Sequence, residues 1–403
     1  MKRFVGFGFG PIQSGLFILE ALRSGNFDHF TVAEVDATLV AAVRRAGGWC
    51  VINVAGPDGI QQVRVGPVEM LNPQVVSDRT QLIHAVAAAD ELATALPSVG
   101  LFEAGGAASV ASILAAGFQQ RTQTGVLYTA ENHNEAAEIL QAALARHGAH
   151  PSAVEVLNTV IGKMSGVITE PGEMARLGLV ELVPGWGKAV LVEQFNRILV
   201  TQVRGGYTRG IEVFAEKPDL LPFEEAKLYG HNAIHALAGY LARQRGYTTM
   251  AEALQDLEIL QLSRYAFLEE SGAALIKKYQ HTGETLFTSA GYRAYAEDLL
   301  HRMANPYLND LVVRVTRDPV RKLGWSDRIF GTMRLALALE IAPRTLARGA
   351  GAALRLLLEE RALAVTRPTV TQTLGEIWGA KSPDPLAETL TALTWDGMHS
   401  ANA

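Results

Sequence analysis

Apolar positions fall in short runs through the first half of the chain and recur at helical spacing through the second. Residues 3–8, RFVGFG, read as a short buried strand, and the apolar run LFILEAL from Leu16 reads as a helix. FTVAEVDA predicts a second strand. GLFEAGGAASV predicts another, breaking into a turn at Gly105 and Gly106, and GVLYTAENHNEAAEIL predicts a strand followed by a helix. After the strand-like runs KAVLVEQF and ILVTQV, the sequence from Phe223 onward is mostly helical in period. Alternating strands and helices followed by a helical block predict an α/β chain. A Rossmann-type dinucleotide-binding domain over 1–188 is expected to precede a mostly α-helical domain over 189–403.

The first turn carries candidate chemistry. Gly8-Phe9-Gly10-Pro11-Ile12-Gln13-Ser14-Gly15 joins the first strand to the first helix, which is the context a dinucleotide fingerprint needs. Gly8 permits the tight turn. Gly10 lets the backbone approach a pyrophosphate, which rests on the positive end of the helix with Pro11 and Ile12 in its first turn. Gln13 stands where a third glycine belongs. The second strand ends in Glu34 and Asp36, and Glu34 lies 19 residues after Gly15. That is close to the ~20 expected for an acid on the adenosine ribose diol. A carboxylate there repels a 2′-phosphate, so NAD is the expected cofactor. Gly105 and Gly106 are expected in a loop over it.

Bulk properties narrow the class. With 403 residues and 48% hydrophobic content the chain can bury more than one core. A net charge of −5 and a pI near 6.1 argue against nucleic acid as a partner. No run of 18 apolar residues appears and no charged-then-apolar leader precedes the first strand, so a cytoplasmic protein with no membrane partner is expected. The single cysteine, Cys50, excludes an internal disulfide and any multi-cysteine zinc site, and its apolar neighbours predict a buried structural thiol.

The most informative stretch is KLYGHNAIHALAGYL, where Lys227, Asn232 and His235 form a K-x4-N-x2-H pattern in a run of helical period. At about 100° per residue, Asn232 lies about 140° round from Lys227 and His235 about 80° round, so all three can project from one side. A lysine, an amide and an imidazole there suit the oxidation of an alcohol without a metal. This run resembles the signature of the polyol-specific long-chain dehydrogenases. The resemblance implies that Lys227 is the general base, Asn232 part of an oxyanion site, and His235 a ligand of the reacting oxygen. It also gives Asn132, in the acid–Asn pair Glu131-Asn132, the second half of the oxyanion site. The alternative for Asn132, read from its own position, is a cap for the following helix.

Three further stretches resemble the family, especially its mannitol-1-phosphate branch: EESGAALIKKY at 269–279, NPYLND at 305–310 and RKLGWSDR at 321–328. Arg321, Lys322 and Arg328 in the last are candidate ligands of a phosphate or polyhydroxyl chain. The chain departs from the pattern at two places. Gln13 replaces one of four glycines in G-x-G-x-x-G-x-G, and Gly162-Lys163 stands where an Asp-Arg pair is usual. The expectation is an NAD-dependent, metal-independent oxidoreductase of a sugar alcohol or its phosphate, acting as a monomer or homodimer. Two alternatives stay open: a diverged substrate such as a cyclitol phosphate or hexuronate, and a non-catalytic NAD-binding homologue.

Overall fold

The computed structural model describes residues 1–149, 153–379 and 385–399. The chain divides into two compact units, Met1–Leu221 and Pro222–Ala403. The division falls later than the change of sequence character near 189 suggested. The reason is ladder pairing. The strands after residue 188 hydrogen-bond to strands before it, so 189–221 belong to the first unit.

Among the described residues twelve strands form two sheets. They are β1 (Lys2–Phe7), β2 (Phe27–Ala33), β3 (Cys50–Ala55), β4 (Ile60–Val65), β5 (Glu69–Leu71), β6 (Glu91–Thr94), β7 (Gly125–Thr129), β8 (Val154–Val160), β9 (Ser165–Ile168), β10 (Ala189–Glu193), β11 (Leu199–Thr201) and β12 (Ala215–Lys217). The large sheet has the order β12-β11-β8-β7-β6-β1-β2-β5. Its six strands from β5 to β8 are all parallel. Counted among themselves they run 3-2-1-4-5-6, the doubly wound Rossmann order. β11 adds antiparallel to β8. The small sheet, β4-β3-β10-β9, takes up the β3–β4 hairpin.

Parallel strands covered on both faces need apolar residues on both. β1 shows this: Phe4 packs on one side with Phe17, Phe30 and Tyr128, while Val5 and Phe7 pack on the other with Leu82, Leu92 and Leu127. One expected strand is absent. Residues 99–101 form a 3₁₀ turn, and the strand is the short ELAT of β6 just upstream. Its four residues are all buried, too short a run to stand out by period.

The second unit is helical, with long helices at Ala233–Gln244, Ser289–Met303, Arg344–Glu360 and Pro385–His399. Glycines set their closest approach. A Cβ on Gly397 would stand 2.3 Å from the Ala347 carbonyl oxygen. Three π-helical segments occur among the described residues: Gln13–Ile18, Ala226–Asn232 and Ala266–Gly272. Each falls in a stretch singled out from sequence. Cys50 is buried, and burial pushes its thiol up to about 12.

Candidate active site

In a doubly wound sheet, ligands bind beyond the carboxyl ends of the strands where the order reverses. Here that point lies between β1 and β6. The glycine turn follows β1. Gly8 has φ +80°, and its N–H donates to the Ala33 carbonyl at the end of β2. A Cβ there would come within 2.9 Å of the Ala95 carbonyl oxygen, so only glycine fits. A Cβ on Gly10 would meet nothing within 4 Å, leaving its backbone open to a phosphate. Pro11 and Ile12 open the helix, both half-buried. These residues fit a dinucleotide.

Glu34 does more than the sequence suggested. One carboxylate oxygen accepts from the Phe9 N–H at 2.8 Å, and the other accepts from the Asp36 N–H at 2.9 Å. It therefore clamps the glycine turn, and each oxygen keeps acceptor capacity for a ribose hydroxyl. Asp36 caps the next helix. Its carboxylate accepts from the N–H groups of Thr38 and Leu39 and from the Thr38 hydroxyl, and these bonds hold it below its ordinary range. Gly105 and Gly106 make the expected left-handed turn, at φ +103° and +59°, in an exposed loop.

Gln13 is fully buried, and neither of its amide atoms has a hydrogen-bond partner among the described residues. It does not crowd the strand, because the strand has made room. A Cβ on Gly6 would lie 2.4 Å from the Gln13 side-chain nitrogen. The glycine lost from the helix is matched by one on β1. Gly15 keeps its packing role, its Cβ position lying 2.5 Å from Val192. Lys163 is fastened inside the unit, its ammonium donating to the Glu193 and Phe195 carbonyls.

At the end of β7, Glu131 is buried and accepts from the Thr94 hydroxyl and the Leu96 N–H, both at 2.9 Å. Burial raises its pKa. It ties β6 to β7 beside the reversal point. Asn132 is exposed and is not the cap of the next helix. The Asn158 side chain accepts from the Ala137 N–H there instead.

In the second unit Lys227 and Asn232 lie in one π-helical segment. A π-helix hydrogen-bonds i to i+5 and winds more residues into each turn than an α-helix, so residue 232 turns nearer to the side of residue 227 than the 140° of an α-helix. The five-residue spacing thus aligns the lysine and the amide more closely than an α-helix would. Lys227 is half-buried, and its ammonium is lowered to about 8, mainly by burial and then by the Arg328 charge, with Glu224 opposing. His235 follows in the α-helix, and its Nε2 lies 2.7 Å from a carboxylate oxygen of Asp310. Arg314 holds the other oxygen at 2.6 Å. Burial works to raise the Asp310 pKa, but His235 and Arg314 outweigh it and keep the carboxylate ionised. His235 therefore has Nδ1 left for a ligand, and its ring is held in place.

The three cations of RKLGWSDR separate. Arg328 pairs with Asp327 at 2.8 Å and is largely enclosed. Arg321 is half-exposed and pairs with Asp318 at 2.9 Å and Asp327 at 3.6 Å. Lys322 is buried, and its ammonium donates to the carbonyls of Val315 and Arg317. It ends a helical turn, with its ammonium engaged by the backbone.

The profile of the Mannitol dehydrogenase C-terminal domain matches residues 219–376, beginning where the second unit begins. A mannitol-1-phosphate 5-dehydrogenase from Exiguobacterium sibiricum is 30% identical over 353 residues, which are 87% of this chain and 84% of that one. The chain belongs to the mannitol dehydrogenase family. A second relative of the same name, from Geobacillus thermodenitrificans, is 30% identical and covers 87% and 86% of the two chains. Among solved structures, substrate-free D-sorbitol dehydrogenase aligns with a TM-score of 0.76 at 12% identity, covering 98% of this chain and 92% of that one. The mannitol 2-dehydrogenase of Pseudomonas fluorescens, a ternary complex with NAD and D-mannitol, gives 0.74 at 16%, covering 99% and 91%. Both likenesses confirm the fold that the sequence predicted.

Family membership sharpens what sequence reasoning passed over. Asp310 closes NPYLND, a stretch noted only as family-like, yet it is the group that orients His235. Glu131 was read only as the neighbour of Asn132. The acid of a conspicuous pair was the signal in both cases. No single-chain pattern announces a carboxylate that acts through its neighbour.

Proposed function

We propose that this member of the mannitol dehydrogenase family is an NAD-dependent oxidoreductase that interconverts a polyol phosphate and its ketose phosphate. The observation that carries the reading is the π-helical register that turns Asn232 toward a lysine lowered to about 8. NAD, when bound, accepts the hydride from the carbinol carbon. Gly8, Gly10 and Glu34 are the residues suited to hold it. In oxidation, neutral Lys227 takes the hydroxyl proton as the C–H bond breaks and C=O forms. Asn232 stabilises the developing oxyanion. His235, fixed by Asp310, orients that oxygen. In reduction the lysine ammonium returns the proton.

Arg321 and Arg328 are the proposed phosphate ligands. Both are paired with carboxylates, and a guanidinium has five N–H donors, so each keeps donors beyond its pair. A charge-assisted contact of this kind contributes roughly 1.5–3 kcal/mol. Fructose 6-phosphate should therefore exceed fructose by more than tenfold in kcat/KM with NADH, and Arg328→Ala should remove most of that difference. Equal or better reduction of fructose would refute the phosphate. Reaction with neither would favour a diverged substrate, a cyclitol phosphate or hexuronate. One observation supports that second reading: Lys163, in the place of the family's arginine, is tied to backbone carbonyls.

A further inference from the structure

A π-turn displaces carbonyls from the ordinary i−4 ladder, and those carbonyls need other donors. In the segment Ala226–Asn232 they have them. The Ser271 hydroxyl donates to the Tyr229 carbonyl at 2.8 Å, and the Tyr295 hydroxyl donates to the Ala226 carbonyl at 3.3 Å. The Thr332 hydroxyl oxygen also stands 3.2 Å from the Tyr229 oxygen, but it lies closer to the Arg328 carbonyl oxygen. Ser271 has one proton, and a carbonyl can only accept it. The Tyr292 hydroxyl, 3.3 Å from the serine oxygen, is therefore the donor in that contact. The relay runs Tyr292 to Ser271 to the Tyr229 carbonyl.

Ser271 itself lies in the second π-segment of this unit, Ala266–Gly272, and is fully buried. Both segments carry a glycine against the same tyrosine. A Cβ on Gly230 would come 2.7 Å from the Tyr292 hydroxyl, and one on Gly272 would come 2.6 Å from its ring. Tyr292 packs edge-on against Phe267 and Tyr295, with ring centroids 5.9 and 5.6 Å away. The two π-segments are thus locked together around one tyrosine and one serine.

We propose that Ser271, braced by Tyr292, is a positioning residue: its hydroxyl holds the Tyr229 carbonyl and so fixes the π-register that turns Asn232 toward Lys227. This rests on Lys227 as base and Asn232 as oxyanion donor. Ser271 touches neither substrate nor proton. It acts on the distance between the two groups that do. Loss of the hydroxyl lets the turn relax toward an α-turn, which rotates Asn232 away and loosens Lys227 among its charged neighbours Arg328 and Glu224.

The test is a steady-state comparison of Ser271→Ala, Tyr292→Phe and Lys227→Ala with the parent, reading kcat, KM, NADH affinity by fluorescence, the pH midpoint of kcat and the melting midpoint. Misplacing a catalytic group by about 1 Å costs up to 10²-fold, so Ser271→Ala should lower kcat by roughly ten- to a hundredfold. NADH affinity should be unchanged, and the pH midpoint for oxidation should move up toward an ordinary lysine. Tyr292→Phe should move kcat and midpoint the same way by less. A merely structural serine would lower only the melting midpoint. Folded Ser271→Ala with parental kcat and pH midpoint overturns the proposal. If that variant does not fold, Tyr292→Phe with parental values overturns it equally. Activity surviving in Lys227→Ala would instead remove the base reading itself, whatever Ser271 does.

Discussion

The proposed chemistry turns on a single lysine. Lys227 stood out in the sequence because its type, its spacing to Asn232 and His235, and its family resemblance agreed. Its tuning was not legible, since burial and the Arg328 charge come from the fold. The sign of the pH effect follows. With the ammonium lowered to about 8, the free base forms as pH rises through that value. Oxidation should climb across pH 7–9 and level off, while reduction, which needs the ammonium, should fall over the same window. Lys227→Ala should lower kcat for oxidation by ~10²–10⁴-fold with NADH affinity retained. A flat profile between pH 7 and 9, or near-parental turnover of the variant, would rule the lysine out. Lys322 is also a lysine lowered to about 8, in the same unit. Composition cannot separate the two. One is placed beside an amide, the other ends in two backbone carbonyls, and that difference is three-dimensional.

At the scale of elements, what the sequence hides is mostly register. The doubly wound pattern was readable, because glycine turn, acid-ended strand and helical runs each have a local cause. β6 was missed because four buried residues carry no period, and the GLFEAGG run was taken for it. The π-turn at Ala226–Asn232 was invisible for another reason. The donors for its displaced carbonyls lie on Ser271 and Tyr295, more than forty residues downstream. Gln13 shows the same dependence. Read along the chain it stands only where a glycine belongs, and the space left by Gly6 that accommodates it comes from the fold. Gly6→Ala should therefore destabilise the parent, yet cost little in a Gln13→Gly background. Neighbours sharing a space couple by about 0.5–3 kcal/mol in a double-mutant cycle. Additive denaturation midpoints would show that the two sites are independent.

For the whole molecule, the sequence predicted a dinucleotide unit followed by a helical one. It placed the boundary near 189, where the character of the sequence changes, whereas strand pairing carries the first unit to Leu221. Pairing between distant strands leaves no trace in local composition. No helix among the described residues is long and apolar enough to cross a membrane. The groups suited to NAD all lie in the first unit, so the cofactor should stabilise that unit. At a hundred times its Kd, NADH contributes about 2.7 kcal/mol, which raises the midpoint of a unit of this size by about 5–10 °C. NADPH should give much less, because Glu34 opposes a 2′-phosphate. EDTA should alter neither midpoint nor turnover. Scanning calorimetry decides the cofactor, and an equal or larger shift with NADPH would reverse the assignment.

The enclosed Cys50 also has a practical consequence. A thiol that is both covered and raised to about 12 offers almost no thiolate to a maleimide at neutral pH. The natural chain is thus already a blank background for fluorophore attachment. A cysteine introduced at Val35, which is 59% exposed beside Glu34, would be the one reactive handle among the described residues. A dye there would watch the cofactor arrive and leave while Gly8, Gly10 and Glu34, the residues proposed to hold it, stay unchanged.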